Sequence, residues 1–192
     1  MDLTTQTRET YAQMWDVPAY AAHSPGVMLL PIFLDMTRTT MRGSVLDAGC
    51  GSGQGALALQ AAGFPVTCCD ITDAGLTQEA RALPFHEVCL WGNLKRSVGF
   101  HEWVYCTDVL EHVPPQFTML AVSRLLEVAR RGVFLSVCLQ ADNLGVWIGE
   151  SLHLTVESFT WWRDALRELG TVVEARDLLH SGVFLVEPVR AQ

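Results

Sequence analysis

The chain has 192 residues, 49% hydrophobic and 18% charged, which excludes intrinsic disorder and provides enough sequence for one globular domain. Its 13 Lys+Arg against 21 Asp+Glu leave a formal net charge of −8, a balance that argues against a nucleic-acid partner held by its phosphates. No run approaches the ~18 uninterrupted apolar residues of a membrane span. Met1-Asp2-Leu3 has no basic region ahead of an apolar stretch, so neither a signal peptide nor a membrane partner is expected, and the chain reads as cytoplasmic. Six cysteines without a C-x-x-C pair read as small buried hydrophobes in a reducing compartment; a disulfide framework or a zinc site is the alternative.

Residues 1–43 precede the first strand and are expected to form helical or irregular cover over one end of a sheet. Ser44 to Asp47 reads as the first strand, Gln54 to Ala62 as a helix stopped by Gly63 and Pro65, and Val66 to Asp70 as the second strand. A short helix is expected around Ala74 to Ala82, then strands at His86 to Trp91 and Trp103 to Thr107. Pro114 and Pro115 open a helix whose apolar face carries Phe117, Leu120, Ala121, Leu125 and Val128, with Gly132 as its stop. Val133 to Cys138 is a fifth, fully apolar strand. Thr155 is expected to cap a helix with Phe159, Trp162, Leu166 and Leu169 on one face. Thr171 to Arg176 and Val183 to Val186 follow, too close in sequence for a helix between them, so they should pair antiparallel. The alternation predicts an α/β fold in one domain, a doubly wound sheet with helices on both faces and a core over 44–187.

The informative segment is Asp47-Ala48-Gly49-Cys50-Gly51-Ser52-Gly53. Alternate glycines let a ligand approach the backbone closely, and the helix that follows offers free N–H groups; that suits any nucleotide. Asp47 is the discriminator, since a carboxylate there repels a pyrophosphate but suits a ligand bearing an ammonium and a sulfonium. Asp70, at the end of the second strand, can accept both hydroxyls of a ribose. A nicotinamide enzyme is the rival, because Gly51-Ser52-Gly53 with Ala56 satisfies G-x-G-x-x-A. Against it stand the placement of Asp47 and the lack of a Y-x-x-x-K pair, Lys95 being the only lysine.

The glycine segment, Asp70 and Asp108-Val109-Leu110-Glu111-His112, in that order, resemble the signature of class I S-adenosylmethionine-dependent methyltransferases. The resemblance implies a Rossmann-like, seven-stranded sheet with its last strand antiparallel. It also implies that Gly49, Cys50, Gly51 and Gly53 pass under the methionine part, with Asp47 and Asp108 nearby. Asp70 would hold the ribose, Ile71 pack on adenine, and Asn93, with Leu94, meet the adenine amino group.

The expected reaction is methyl transfer to an oxygen or nitrogen of a small-molecule acceptor. Asp108, His112 and His153 are the candidates for acceptor chemistry. Asp108, Glu111 and His112 lie at spacings that share one face, and with His153 they could bind a divalent ion. Ubiquinone-pathway O-methyltransferases and small-RNA 2′-O-methyltransferases carry a similar constellation, so a metal-assisted enzyme acting on RNA ends is an alternative. A further one is a subunit of this shape that binds cofactor without turnover. The metal-free reading has Asp108 on loop backbone, Glu111 capping and His112 packed or acting as a base. Tyr11, Trp15, Tyr20, His23 and Ser24 either lie over the cofactor or bury one helix face, and Trp147 is a pocket candidate.

Overall fold

The computed structural model describes residues 2–21, 24–38 and 43–189. Three helices come first: α1 (Leu3–Met14), the single turn α2 (Pro18–Ala21) and α3 (Pro25–Thr37). The alternating part follows as β1 (Val45–Ala48), α4 (Gln54–Ala61), β2 (Val66–Asp70), β3 (Phe85–Glu87), α5 (Leu94–Val98), β4 (His101–Thr107), α6 (Pro115–Val128) and β5 (Ala129–Cys138). The chain closes with α7 (Phe159–Arg167), β6 (Gly170–Asp177) and β7 (Ser181–Pro188).

The seven strands form one sheet in the order β3-β2-β1-β4-β5-β7-β6. β1 to β5 are mutually parallel, while β7 runs antiparallel to both β5 and β6. The order reverses on either side of β1, so β1 and β4 flank the crevice where ligands bind in open α/β sheets.

Both faces are buried, which is why the central strands read as near-continuous apolar runs. Leu46, Ala48, Val104 and Leu135 face one core with Leu125 of α6 and Trp162 of α7. Val45, Cys68, Tyr105 and Phe134 face the other with Phe33 of α3 and Leu59 of α4. Asp47 alternates onto this second face yet is only 3% exposed. The Tyr105 hydroxyl donates to the Gly26 carbonyl at 2.6 Å, fixing α3 beside the crevice.

Several expected boundaries move. The segment before Ala82 holds only a 3-10 turn, Ala80–Ala82, and β3 ends at Glu87. α6 ends at Val128 and passes directly into β5, so Gly132 is a strand residue rather than a helix stop. Leu120 is 39% exposed, and Thr118 and Val122 take its place on the buried face. Ser158, not Thr155, caps α7, accepting from the Trp161 N–H at 3.1 Å. Thr155 is buried instead, its hydroxyl against those of Thr118 at 3.0 Å and donating to the Val113 carbonyl at 3.2 Å. The described cysteines are all free thiols, four of them buried. Among the described residues no single helix is long and apolar enough to cross a membrane.

Candidate active site

At the carboxyl ends of β1 and β4 lies a cavity of about 440 Å³. Its floor is the loop after β1, where Gly49, Gly51 and Gly53 have φ of 75, 51 and 75°. A Cβ on Gly53 would collide with Ala80 in that left-handed conformation, and one on Gly51 would lie 2.8 Å from the Trp15 ring. The bare main chain is therefore a packing requirement as well as a place for close approach.

Two carboxylates border this floor. Asp47 is pushed up to about 7, first by burial and then by the Asp70 charge, against one N–H donor from Ala56 at the start of α4. Asp70 accepts from the Gly51 N–H at 2.8 Å and the Ile71 N–H at 2.7 Å. Burial raises its pKa, and these amides, with that of Thr72, oppose the rise. Asp70 thus ties the glycine loop to the end of β2, and a two-oxygen carboxylate still has acceptor capacity for a ligand.

The first helices roof the cavity. Thr7, Tyr11 and Trp15 of α1 and its C-cap line it, joined by Tyr20, Ser24 and Pro25. Arg8 anchors α1 by donating to the Ile71 carbonyl at 3.0 Å. Trp15 and Tyr20 meet edge to face with centroids 4.9 Å apart, and Tyr11 meets His112 in the same manner at 5.5 Å. The aromatics of this segment pack against one another and against the cavity wall, while Met14 is the buried residue of α1. His23 lies outside the described residues.

The far wall comes from the loops after β4 and β5. Asp108 has φ of 55°, a left-handed conformation that Asp tolerates better than most residues, and its N–H donates to the Ser136 carbonyl at 3.0 Å. Glu111 is wholly buried and acts as a clasp. Its Oε1 accepts from the Cys138 N–H at 2.6 Å, and its carbonyl accepts from the N–H groups of Leu154 and Thr155 at 2.7 and 3.0 Å. Burial, then the charge of Asp108, pushes the Glu111 carboxyl well above the usual range.

His112 Nδ1 lies 3.1 Å from the Leu152 carbonyl, which assigns the proton to Nδ1 and leaves Nε2 as an acceptor. Burial first, then neighbouring His153, lowers His112 to about 4, so the ring is neutral at physiological pH. His153 lies edge-on to it at 4.8 Å, its own Nδ1 2.6 Å from the Gln140 carbonyl. Asp142 organises the loop: it accepts from the N–H groups of Leu144, Gly145 and Leu152 at 2.9, 2.9 and 3.1 Å. Burial raises its pKa, but these three donors prevail and hold it below the ordinary value.

Of the residues singled out from the sequence, Asp47, Gly49, Cys50, Gly51, Asp70, Ile71, Asp108, His112 and His153 line this cavity. Gly53 shapes the loop from behind. Asn93 is exposed and caps α5, accepting from the Arg96 N–H at 3.3 Å, and Leu94 is a core residue. Neither reaches the cavity; Val88, Leu90 and Trp91 form the wall there. Trp147 is 69% exposed and also stands outside it.

The expected metal quartet does not converge as a set. The group whose ligand atoms fall within 4.8 Å of one another is Glu111, Cys138 and His153, without Asp108 or His112. Asp142 and Gln140 escaped the sequence reading. The available signal for the first of them was an Asp in Asp142-Asn143, a turn-forming pair just beyond the carboxyl end of a strand.

The pattern of a methyltransferase-domain family matches residues 46–135. No curated protein matches the sequence. Among solved structures, the SAM-bound magnesium protoporphyrin IX methyltransferase of Synechocystis PCC 6803 superposes with a TM-score of 0.70 at 20% identity, over 97% of this chain and 98% of that one. The 1,6-didemethyltoxoflavin-N1-methyltransferase of Burkholderia thailandensis gives 0.66 at 17% identity, over 98% and 88%. The PH0226 protein of Pyrococcus horikoshii OT3 gives 0.63 at 16%, over 84% and 88%. The glycine floor, the acidic ends of β1 and β2 and the single reversed strand agree with that match: residues 46–135 carry a methyltransferase domain, in the sheet fold of these solved structures.

Proposed function

We propose that this cavity binds S-adenosylmethionine and that the chain transfers its methyl group to an oxygen or nitrogen of a small-molecule acceptor. The observation that carries the reading is Asp47. It is a buried carboxylate at the glycine floor, raised to about 7, and no lysine or arginine stands among the described residues lining the cavity. A diphosphate would worsen its electrostatics, whereas a ligand with an ammonium and a sulfonium relieves them. Neighbouring folds named for small-molecule acceptors support the substrate class.

In this arrangement Asp70 meets the ribose hydroxyls, Ile71 packs on the adenine, and Gly49 to Gly53 run beneath the methionine part. The cofactor supplies an electrophilic methyl on a sulfonium. His112, neutral and with Nε2 unprotonated, accepts a hydrogen bond from the acceptor O–H or N–H, aligns its lone pair, and takes the proton as methylation makes it acidic. Asp142 is a positioning residue, since it holds the N–H of Leu152, whose carbonyl fixes the His112 tautomer, and Glu111 clasps the same loop through its main-chain carbonyl.

Calorimetric titration with S-adenosylhomocysteine tests the reading. Saturable one-to-one binding is expected; no binding to the folded protein would overturn it.

A further inference from the structure

Resting on that reading, we infer that the acceptor is a planar aromatic or heteroaromatic molecule that carries no carboxylate or phosphate into the cavity. The acceptor end is lined by rings: Tyr11 and Tyr20 from the roof, and the edge-to-face pair His112 and His153 opposite. Such walls accept flat ligands by stacking and edge contacts.

Charge narrows the class. Asp47 and Asp70 border the cofactor end, Asp108 and Asp142 the other, and the described lining residues include no lysine or arginine. Arg8, the guanidinium nearest in sequence to the lining Thr7, is engaged by the Ile71 carbonyl and by Glu87 at 3.3 Å. His112 is neutral, so it offers no positive charge either. Burial also keeps the hydroxyls of Tyr11 and Tyr20 protonated, leaving them as donors. An anionic group at the acceptor end would face Asp108 and Asp142 without a lysine or arginine to pair with, in a site of low dielectric where that repulsion is strong. A phenol, an enol or an azole N–H meets acceptors and donors without that penalty.

The test uses protein saturated with S-adenosylhomocysteine and three matched probes: 2-naphthol, 6-hydroxy-2-naphthoate and its methyl ester. Calorimetry should give saturable binding of the two uncharged phenols, with the ester at least about tenfold tighter than the acid of the same skeleton. Asp108→Asn, tolerated by the left-handed backbone there, should narrow that gap by about threefold or more. Equal or tighter binding of the acid overturns the inference, as does binding of neither uncharged phenol to protein that holds the cofactor product. Failure of S-adenosylhomocysteine itself to bind overturns the methyltransferase reading beneath it, an outcome separable from the other two.

Discussion

Asp47 and His112 are both buried at the cavity, and burial moves them in opposite directions. Asp47 is raised from an ordinary carboxyl value to about 7, so the folded chain holds a proton there that the unfolded chain has lost. That proton makes stability fall as pH rises between about 4 and 7, by up to about 1.4 kcal/mol per unit. His112 is lowered to about 4; there the unfolded chain holds the extra proton, and its contribution rises with pH from about 4 to 6.5. The stability advantage of Asp47→Asn over the parent should therefore grow with pH across the first window and level off above it, as urea denaturation would register. An ammonium favours the ionised carboxylate, so affinity for S-adenosylhomocysteine, which keeps that group but not the sulfonium, should climb with pH toward about 7 in the parent and stay flat in the variant. Asp70→Ala should cost about 1.5–3 kcal/mol of cofactor binding by calorimetry. His112→Ala should lower kcat about 100-fold while leaving cofactor affinity unchanged. Much of this site was legible because chemistry demands particular residue types next to a strand end: Asp47, Asp70 and His112 stood out for that reason. Asn93 did not follow, because a cap at the start of α5 uses its side chain locally. Asp142 was hidden because its work is on backbone amides two, three and ten residues further on, which only the folded loop brings together.

At the scale of elements, strands buried on both faces announced themselves, and β2 lies over Val66–Asp70 as its composition indicated. Helix ends were harder. Gly132 reads as a stop, yet α6 turns into β5 without a loop and Gly132 sits inside the sheet, where a Cβ would crowd the Trp103 ring of the adjacent strand. Thr155 reads as a cap, yet its hydroxyl is claimed by Thr118 and the Val113 carbonyl, and Ser158 takes the capping role. The β1–α4 junction permits a sharp test. Gly53→Ala would require both a left-handed alanine and displacement of Ala80, and it should destabilise the chain by about 1–3 kcal/mol in denaturant melts.

Across the whole molecule, the reversed strand β7 and the two-sided core were readable from the spacing of apolar runs, whereas the manner in which residues before β1 close the site was not. α1 has a single buried residue, Met14; Tyr11 rests on His112 and the C-cap Trp15 on the glycine floor, while Arg8, outside the cavity, donates to the Ile71 carbonyl. Its attachment thus depends on what lies beneath it, and S-adenosylhomocysteine should slow amide hydrogen exchange in α1 more than in α6.

With the proposed ligands in the cavity, the same helix would overlie both the spent cofactor and the methylated product, and one door would serve two departures. A catalyst built this way would complete its first turnover quickly and then wait for that door, and rapid-quench kinetics should display an initial burst of product equal to the enzyme present.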